Sequence, residues 1–372
     1  MADVPVGVFL SGGLDSSSIA MLAAKNSTQT LTTYSAAFDH DTDQSELTLA
    51  REVAETIGTD HHEIRIHGTE TIDIIQRMID SHDQPFSDAA NIPLYMMCDK
   101  ISDTHKVILQ GDGGDEMFAG YQRYLTLMRA AKYRPLLRML AGPAGAVLRG
   151  PRARRITRLI EALGADTDAR TMARFLTVER EAEAPTAIFQ PALRQALLAH
   201  DYAARYAEIG DRFAQVPLAE RMLLTDREII LPDIFCQKVD RATMAASVEV
   251  RVPFIDNEIL DLVMAIPVQT LMTGGQQKGL LRHAMRDLLP ASVISGKKRG
   301  FGVPFGKWVT GPLLAHARDM INTAAAAHPE LFDRVVIDQR IDDHLAGRVD
   351  NGFLIWKAFN LSLWIISQKV SC

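Results

Sequence analysis

Apolar and polar positions along the first third of the chain predict strands that alternate with helices. Four short apolar runs predict strands at residues 6–10, 31–38, 61–66 and 106–110. Apolar residues at helical spacing predict helices between them, at residues 16–25, 45–57, 70–80 and 92–102. Because parallel strands need crossover connections of this kind, residues 1–125 are predicted to form a parallel twisted sheet with helices on both faces, an α/β fold.

The pattern changes at about residue 126 to long stretches of Ala, Leu and Arg with few candidate strands. Residues 126–372 are therefore predicted to be mainly helical. Residues 142–155 are rich in Gly, Pro and Arg, and they are predicted to form an exposed break between the two parts.

Composition excludes several classes of protein. The chain is 47% hydrophobic and 23% charged, and its 40 Lys and Arg against 46 Asp and Glu leave a net charge of −6, which gives no reason to expect nucleic acid or a membrane surface as partner. The three cysteines form no CxxC pair, so neither a disulfide framework nor a cysteine-rich zinc site is expected. With no apolar run of about 18 residues, we expect a soluble, cytoplasmic protein.

The sharpest local signal is the sequence SGGLDSS at residues 11–17, between a predicted strand and a predicted helix. Glycines allow a tight turn, and the free amides at the start of a helix attract an anion, so this segment predicts a phosphate-binding loop. It has neither the Walker pattern nor the dinucleotide pattern. An ordinary strand-to-helix turn would explain the glycines but not Asp15 and the hydroxyl groups.

This segment resembles the PP-loop, SGGxDS, of the ATP pyrophosphatases that adenylate their substrates. The resemblance implies an adenine nucleotide alpha hydrolase-like fold with ATP and Mg²⁺ as cofactors. It also implies that Asp15 helps to hold the Mg²⁺, as a hard cation prefers carboxylate and phosphate oxygens. The residues it assigns to the β- and γ-phosphates are Ser11, Gly12, Gly13, Ser16 and Ser17.

A second segment, QGDGGDEMFAGY at residues 110–121, ends a predicted strand at the edge where open α/β sheets bind ligands. Its three carboxylates are costly together unless a cation or a substrate ammonium shares the site, although a solvated acidic turn is the alternative. The segment resembles a motif of the asparagine synthetase family. The resemblance implies catalytic roles for Asp112 and Asp115, a metal-binding role for Asp115 beside Asp15, and a substrate or scaffold role for Glu116.

A third segment combines KVDRATM at residues 238–244 with EVRVPFID at residues 249–256, and it matches the same family's signature. Charges of both signs alternate here with apolar residues, which predicts buried ion pairs. Two roles stay open for its charged residues, a buried salt-bridge scaffold or direct substrate contact. These residues are Asp240, Arg241, Glu249 and Arg251.

A fourth segment contains Lys278 and Arg282, and then KKRGFGVP at residues 297–304. Basic residues beside glycines suit a mobile loop that closes over phosphates, or else a plain solvated loop. The resemblance implies that Lys298 stabilises the adenylation transition state, with Lys297 as the competitor. It also places four residues around adenosine, although each would serve equally as strand core: Phe9, Ala36, Gln110 and Gly111.

The motifs occur in family order and imply one composite synthetase domain over residues 1–372. The implied enzyme is a carbon–nitrogen ligase that converts aspartate to asparagine through β-aspartyl-AMP, with release of AMP and pyrophosphate. Asp112 stands where many asparagine-forming members carry Glu, so other acids remain open: a sugar acid, a β-lactam precursor or a peptide. A non-catalytic ATP-binding subunit is the remaining alternative.

The N-terminus sets one further expectation about the source of nitrogen. Glutamine-dependent members of the family begin with a catalytic cysteine and a glutaminase domain, whereas Met1 here almost directly precedes the PP-loop strand. We expect that the chain uses free ammonia, takes ammonia from a separate glutaminase, or is part of a longer protein. Its other partners are expected to be small molecules only.

Overall fold

The protein is represented by a computed structural model, which describes residues 2–38, 45–66, 71–139, 151–176, 185–296, 303, 305–311 and 313–368. Five strands form one parallel sheet in the order β3-β2-β1-β4-β5. They are β1 Val6–Phe9, β2 Thr32–Phe38, β3 Asp60–Ile66, β4 Val107–Leu109 and β5 Glu249–Arg251. The four predicted strands are confirmed to within one residue at each end, and β5 is an addition that the apolar pattern did not predict.

The predicted helices of the first part are also confirmed, with ends that differ by two residues or fewer. They span Leu14–Lys25, Ser45–Ile57, Thr71–Ser81 and Asn91–Ile101. Gly58 follows the second of them with a φ of +78°, a left-handed conformation that commonly ends a helix. The α/β fold predicted from the alternation is therefore confirmed.

The rest of the described chain is mainly helical, as predicted. Its α-helices are Gly114–Met117, Gln122–Ala130, Pro151–Leu163, Asp168–Leu176, Pro191–Ala199, Ala204–Arg212, Leu218–Thr225, Gln237–Met244, Asn257–Met264, Val268–Leu271, Gly279–Met285, Ala291–Ser295, Phe305–Thr310, Leu314–Ala327, Arg334–Leu345 and Gly352–Gln368. Short 3₁₀ turns span Ala131–Tyr133, Pro185–Ile188, Pro253–Ile255 and Thr273–Gly275, and a π-helix spans Asp226–Cys236. The predicted break at residues 142–155 needs correction, because Pro151 already begins a helix. Residues 140–150 lie outside the described residues.

The order of the strands places a ligand crevice beside the central strand. From β1 the chain moves outward to β2 and β3, and it then returns to the other side of β1 to form β4 and β5. The chain therefore leads to opposite sides of the sheet after β1 and after β4, and open α/β sheets bind their ligands at the carboxyl edge beside such a point.

Both parts of the chain contribute to the cores on the two faces of the sheet. Alternate residues of a strand point to opposite faces, so Val8 lies in one buried cluster and Phe9 in the other. The cluster that contains Phe9 also contains Trp356 from the last helix, and the cluster that contains Val8 also contains Leu281. Nowhere in the described ranges does a helix combine the length and the apolar character needed to cross a bilayer.

Candidate active site

The loop between β1 and the helix Leu14–Lys25 has the geometry of an anion-binding turn. Gly12 has a φ of +72°, a left-handed conformation that favours glycine. The Oγ atoms of Ser11 and Ser16 lie 2.9 Å apart, and the Ser11 amide donates a hydrogen bond to the Oγ of Ser16 at 3.1 Å. No described side chain caps the start of the helix, so its first amides can bind an anion.

The acidic loop after β4 lies directly against this first loop. Gly113 has a φ of +80° and turns the chain into the helix Gly114–Met117. A Cβ atom on Gly114 would lie 2.7 Å from the Cγ of Asp15, so glycine is what allows the two loops to approach this closely. Within the loop, the side-chain amide of Gln110 donates a hydrogen bond to the carboxylate of Asp112.

Both loops line one cleft of about 480 Å³ at the carboxyl edge of the sheet. The cleft brings together most of the predicted site residues: Phe9, Ser11, Gly12, Gly13, Asp15, Ser16, Ala36, Gln110, Gly111, Asp112, Asp115 and Glu116. Apolar side chains such as Leu94 and Met97 line it as well. A cleft that combines apolar walls with a few convergent polar groups is typical of a small-molecule site.

A buried lysine without a predicted site role also lines the cleft. Lys278 is only 4% exposed, and its Nζ lies 2.6 Å from the Oδ1 of Asp115 and also contacts the Oδ2 of Asp15. Burial lowers the pKa of this ammonium, but the two carboxylates offset the effect and leave its pKa raised. The basic segment from Lys278 to Arg282 was a sequence signal, although nothing in it pointed to these two partners.

The two carboxylates that meet Lys278 form a donor set that fits a magnesium ion. Oxygens that both contact one ammonium are close enough to share one cation, and carboxylates are ligands that Mg²⁺ prefers. Over the described part of the chain, no group of three or more His, Cys, Asp or Glu side chains is arranged around a metal position. A magnesium ion at this pair would therefore take its other ligands from phosphate and water, as it does in nucleotide sites.

A second buried lysine lines the same cleft. Lys238 lies on the helix Gln237–Met244, and its Nζ is 3.1 Å from the Oδ2 of Asp88 and 4.8 Å from the ring centre of Phe235. The described lining contains five carboxyl groups, those of Asp15, Asp88, Asp112, Asp115 and Glu116, against the cationic groups of Lys238, Lys278 and Arg282. With carboxyl groups in excess, a polyphosphate would need added positive charge to bind here.

Glu116 is the most deeply buried of the predicted acidic residues, at 1% exposure. Its Oε1 accepts a hydrogen bond from the hydroxyl of Tyr121 at 2.6 Å. Burial raises the pKa of this carboxyl to about 7, and the neighbouring Asp115 adds to the rise. Glu116 therefore contacts both the cleft and the protein interior, which is compatible with either of its predicted roles.

Several predicted residues lie outside the cleft lining. Ser17 is fully buried and is not among the residues that line the cleft. The predicted buried salt-bridge scaffold of the third segment is wrong: Asp240 and Glu249 are exposed, Arg241 pairs with Asp83 near the surface, and Arg251 pairs with Glu249 at 2.7 Å. The reason is that Glu249 and Arg251 occupy the edge strand β5, where side chains reach solvent.

The two candidate lysines of the basic loop, Lys297 and Lys298, lie outside the described residues. The residue before them is placed, because Gly296 lines the cleft and its carbonyl accepts a hydrogen bond from Nη2 of Arg282 at 2.9 Å. Arg282 also donates a hydrogen bond to the carbonyl of Ile294. Gly296, the last described residue before residues 297–304, therefore lies at the cleft wall.

Comparison with known proteins gives a consistent assignment. The family model described as asparagine synthase matches residues 1–366. Asparagine synthetase [glutamine-hydrolyzing] 1 of Bacillus subtilis is 28% identical over 98% of this chain and 56% of its own length. A putative asparagine synthetase [glutamine-hydrolyzing] of Mycobacterium bovis is 30% identical over 98% of this chain and 54% of its own length. Asparagine synthetase B [glutamine-hydrolyzing] of Escherichia coli is 26% identical over 83% of this chain and 43% of its own length.

The chain thus spans about half the length of the curated relatives that it matches. The match covers both the sheet with its two loops and the helical part that supplies Lys278 and Arg282. Together, the extent of this match and the resemblance of the motifs show that the chain belongs to the asparagine synthase family.

Proposed function

We propose that this chain is an ATP-dependent amide-forming ligase that adenylates a carboxylate, with aspartate as the favoured substrate and asparagine as the product. One observation carries the proposal: the predicted phosphate-binding loop, residues 11–17, and the acidic loop line one cleft, where Asp15 and Asp115 both contact the ammonium of Lys278. A cytoplasmic location suits this function, because its small-molecule substrates are available there.

The proposed roles follow from where the residues lie. The amides and hydroxyls of Ser11 to Ser16 are proposed to bind the β- and γ-phosphates, and Phe9 and Ala36 are proposed to contact adenosine. Asp15 and Asp115 would hold Mg²⁺, which when bound supplies charge neutralisation on the phosphates. Lys298 is proposed to stabilise the charge that develops on the α-phosphate.

The proposed reaction has two steps. An oxygen of the substrate carboxylate forms a bond to the α-phosphorus of ATP, the bond between that phosphorus and the bridging oxygen breaks, and pyrophosphate leaves. The nitrogen of ammonia then bonds to the acyl carbon, AMP leaves with the bonding electrons, and a proton passes from nitrogen to a base. Asp112 and Asp115 are proposed to act on the incoming amine. Because both substrates are held on one scaffold, most of the entropic barrier to their meeting is removed.

The experiment that tests the proposal is ATP–pyrophosphate exchange with magnesium, ammonia and each of a set of carboxylic acids. We expect exchange that depends on aspartate. Exchange with a sugar acid or a peptide acid instead would move the substrate assignment, in line with the shorter side chain of Asp112. ATP binding without exchange for any acid would contradict the ligase function and favour a binding subunit. Because nitrogen enters only in the second step, its source is identified by measuring the amide product with ammonia, with glutamine, and with glutamine plus a separate glutaminase.

Matched variants test the site assignment. We expect Asp15→Asn and Lys298→Ala each to lower the exchange rate by about 100-fold or more, because the first removes a proposed Mg²⁺ ligand and the second removes the positive charge proposed to act on the α-phosphate. Lys297→Ala is the control for Lys298 and should retain most of the rate. A larger loss in Lys297→Ala than in Lys298→Ala would transfer the role to Lys297, and exchange at the unmodified rate in both Asp15→Asn and Lys298→Ala would contradict the assignment.

A further inference from the structure

Lys278 lies between two carboxylates that come from different parts of the fold. Asp15 belongs to the first turn of the helix after the predicted phosphate-binding loop, and Asp115 belongs to the short helix after the acidic loop. The Nζ of Lys278 contacts both, at 2.6 Å for Asp115, and the lysine is 4% exposed. The ammonium therefore lies where a single cation contacts both carboxylates.

The backbone around Lys278 shows that this position is built into the fold. Lys278 has a φ of +54°, a left-handed conformation that costs free energy in a residue with a long side chain. The side-chain amide of Gln277 donates a hydrogen bond to the carbonyl of Gly120 at 2.7 Å, and Arg282 Nε donates one to the carbonyl of Gln277 at 2.9 Å. Both bonds hold Gln277, the residue immediately before Lys278.

The space around the ammonium is also closely filled. A Cβ atom on Gly120 would lie 1.9 Å from Asp115 Oδ1 and 2.2 Å from Lys278 Cε, so that position has no room for any side chain. A divalent cation that took the same two carboxylates would meet the ammonium at close range, and like charges repel strongly in a partly buried site. The lysine and a free divalent cation thus compete for the same oxygens.

We propose that Lys278 occupies the divalent-cation position of the nucleotide-free protein, so that a divalent cation is excluded until the phosphates of the nucleotide give the ammonium another anionic partner. The proposal rests on the proposed function only for the expectation that a cation binds with ATP. Its consequence is a positive coupling between nucleotide and metal, which by linkage acts equally in both directions. Lys278 is in this sense a positioning residue for the metal.

The test uses Mn²⁺ alone, without nucleotide or acid, and measures its binding to the whole chain by electron paramagnetic resonance. We expect Lys278→Met, which removes the charge but keeps the length, to lower the Kd for Mn²⁺ by about tenfold or more, a change typical of coupled sites. Lys238→Met removes a lysine of the same cleft that pairs with Asp88, and it should change the Kd by less than twofold. An equal or weaker affinity in Lys278→Met would overturn the proposal.

A second variant keeps the test decisive if Lys278→Met does not fold. Lys278→Ala leaves a space into which methylammonium can bind, and we expect added methylammonium to weaken Mn²⁺ binding to this variant in proportion to its concentration. Mn²⁺ binding that is indifferent to methylammonium would contradict competition at the two carboxylates. Neither measurement needs turnover, so the two proposals can fail separately. Tighter Mn²⁺ binding by Lys278→Met, with no pyrophosphate exchange by the unmodified protein, would support this inference and contradict the ligase function. Exchange by the unmodified protein, with Mn²⁺ binding by Lys278→Met that is no tighter, would contradict this inference and support the ligase function.

Discussion

Glu116 shows how strongly the interior of the cleft acts on a single carboxyl group. It is 1% exposed, accepts a hydrogen bond from Tyr121, and has a pKa raised from 4.5 to about 7, mainly by burial. Between pH 4.5 and pH 7 the folded chain therefore keeps a proton that the unfolded chain has lost. The free energy of unfolding therefore falls as the pH rises, by about 3 kcal/mol in total from below pH 4.5 to above pH 7.

This predicts a pH-dependent difference between the unmodified protein and Glu116→Gln. The amide is neutral at every pH, so the variant should lack this loss, and its stability relative to the unmodified protein should rise by up to about 3 kcal/mol from pH 4.5 to pH 8. Urea unfolding at several pH values measures the difference. Glu55→Gln, at an exposed position, should give a curve parallel to that of the unmodified protein, and a parallel curve for Glu116→Gln would disprove the prediction.

At the scale of elements, the π-helix Asp226–Cys236 contacts both the helix Gln122–Ala130 and the acidic loop. Asp226 is fully buried and lies 2.8 Å from Nη2 of Arg123, and the hydroxyl of Tyr124 also donates to it. Burial raises the pKa of Asp226 to about 6, which leaves it ionised at neutral pH beside its arginine. Arg227 donates to the backbone carbonyls of Glu116 and Met117 at 3.0 Å, so this helix supports the acidic loop directly.

We predict that Asp226→Ala lowers the free energy of unfolding by about 3–5 kcal/mol, because it leaves the buried guanidinium of Arg123 without its charge partner. The same π-helix supplies the matched control. Asp233 pairs with Arg205 at the surface, where both side chains are substantially exposed, so Asp233→Ala should cost about 1 kcal/mol or less. Chemical denaturation of both variants measures the contrast, and equal losses would show that burial is not the cause.

At the scale of the whole molecule, the sheet and the last helix share one core. Trp356 is 1% exposed in the cluster that contains Ile64 and Ile108 of the sheet, and its Nε1 donates to the carbonyl of Ser87 at 2.9 Å. Residues that pack in one core lose their contacts together, so the two parts should unfold together. The single composite domain that the motif order predicts requires such joint unfolding, and it stays a prediction.

We predict that the protein unfolds in one cooperative transition, and that Trp356→Ala moves this transition to milder conditions. All three tryptophans, Trp308, Trp356 and Trp364, lie in the last part of the chain, whereas circular dichroism reports on every helix. Fluorescence and circular dichroism should therefore give the same midpoint. Trp356→Ala should lower the free energy of unfolding by about 3–5 kcal/mol. The control is Val335→Ala, which should lower it by about 0.5 kcal/mol or less because Val335 is 80% exposed. Two separate transitions would contradict the shared core.

Local patterns in the sequence determined the alternating strands and helices and the two glycine-rich loops, because each depends on residues that are neighbours along the chain. The parallel sheet followed from that alternation, because a helix between two strands supplies the crossover that parallel pairing needs. The apolar pattern missed β5, since this strand has only three residues, of which Glu249 is exposed and Arg251 half-buried. Its alternating charges suggested burial that the edge position does not provide.

Only the tertiary structure decided which distant residues meet. Lys278 pairs with Asp15 across 263 positions, and Asp226 pairs with Arg123 across 103 positions. Such partners are selected by the packing of whole elements, which brings charges together where water is excluded, and no local pattern records that selection.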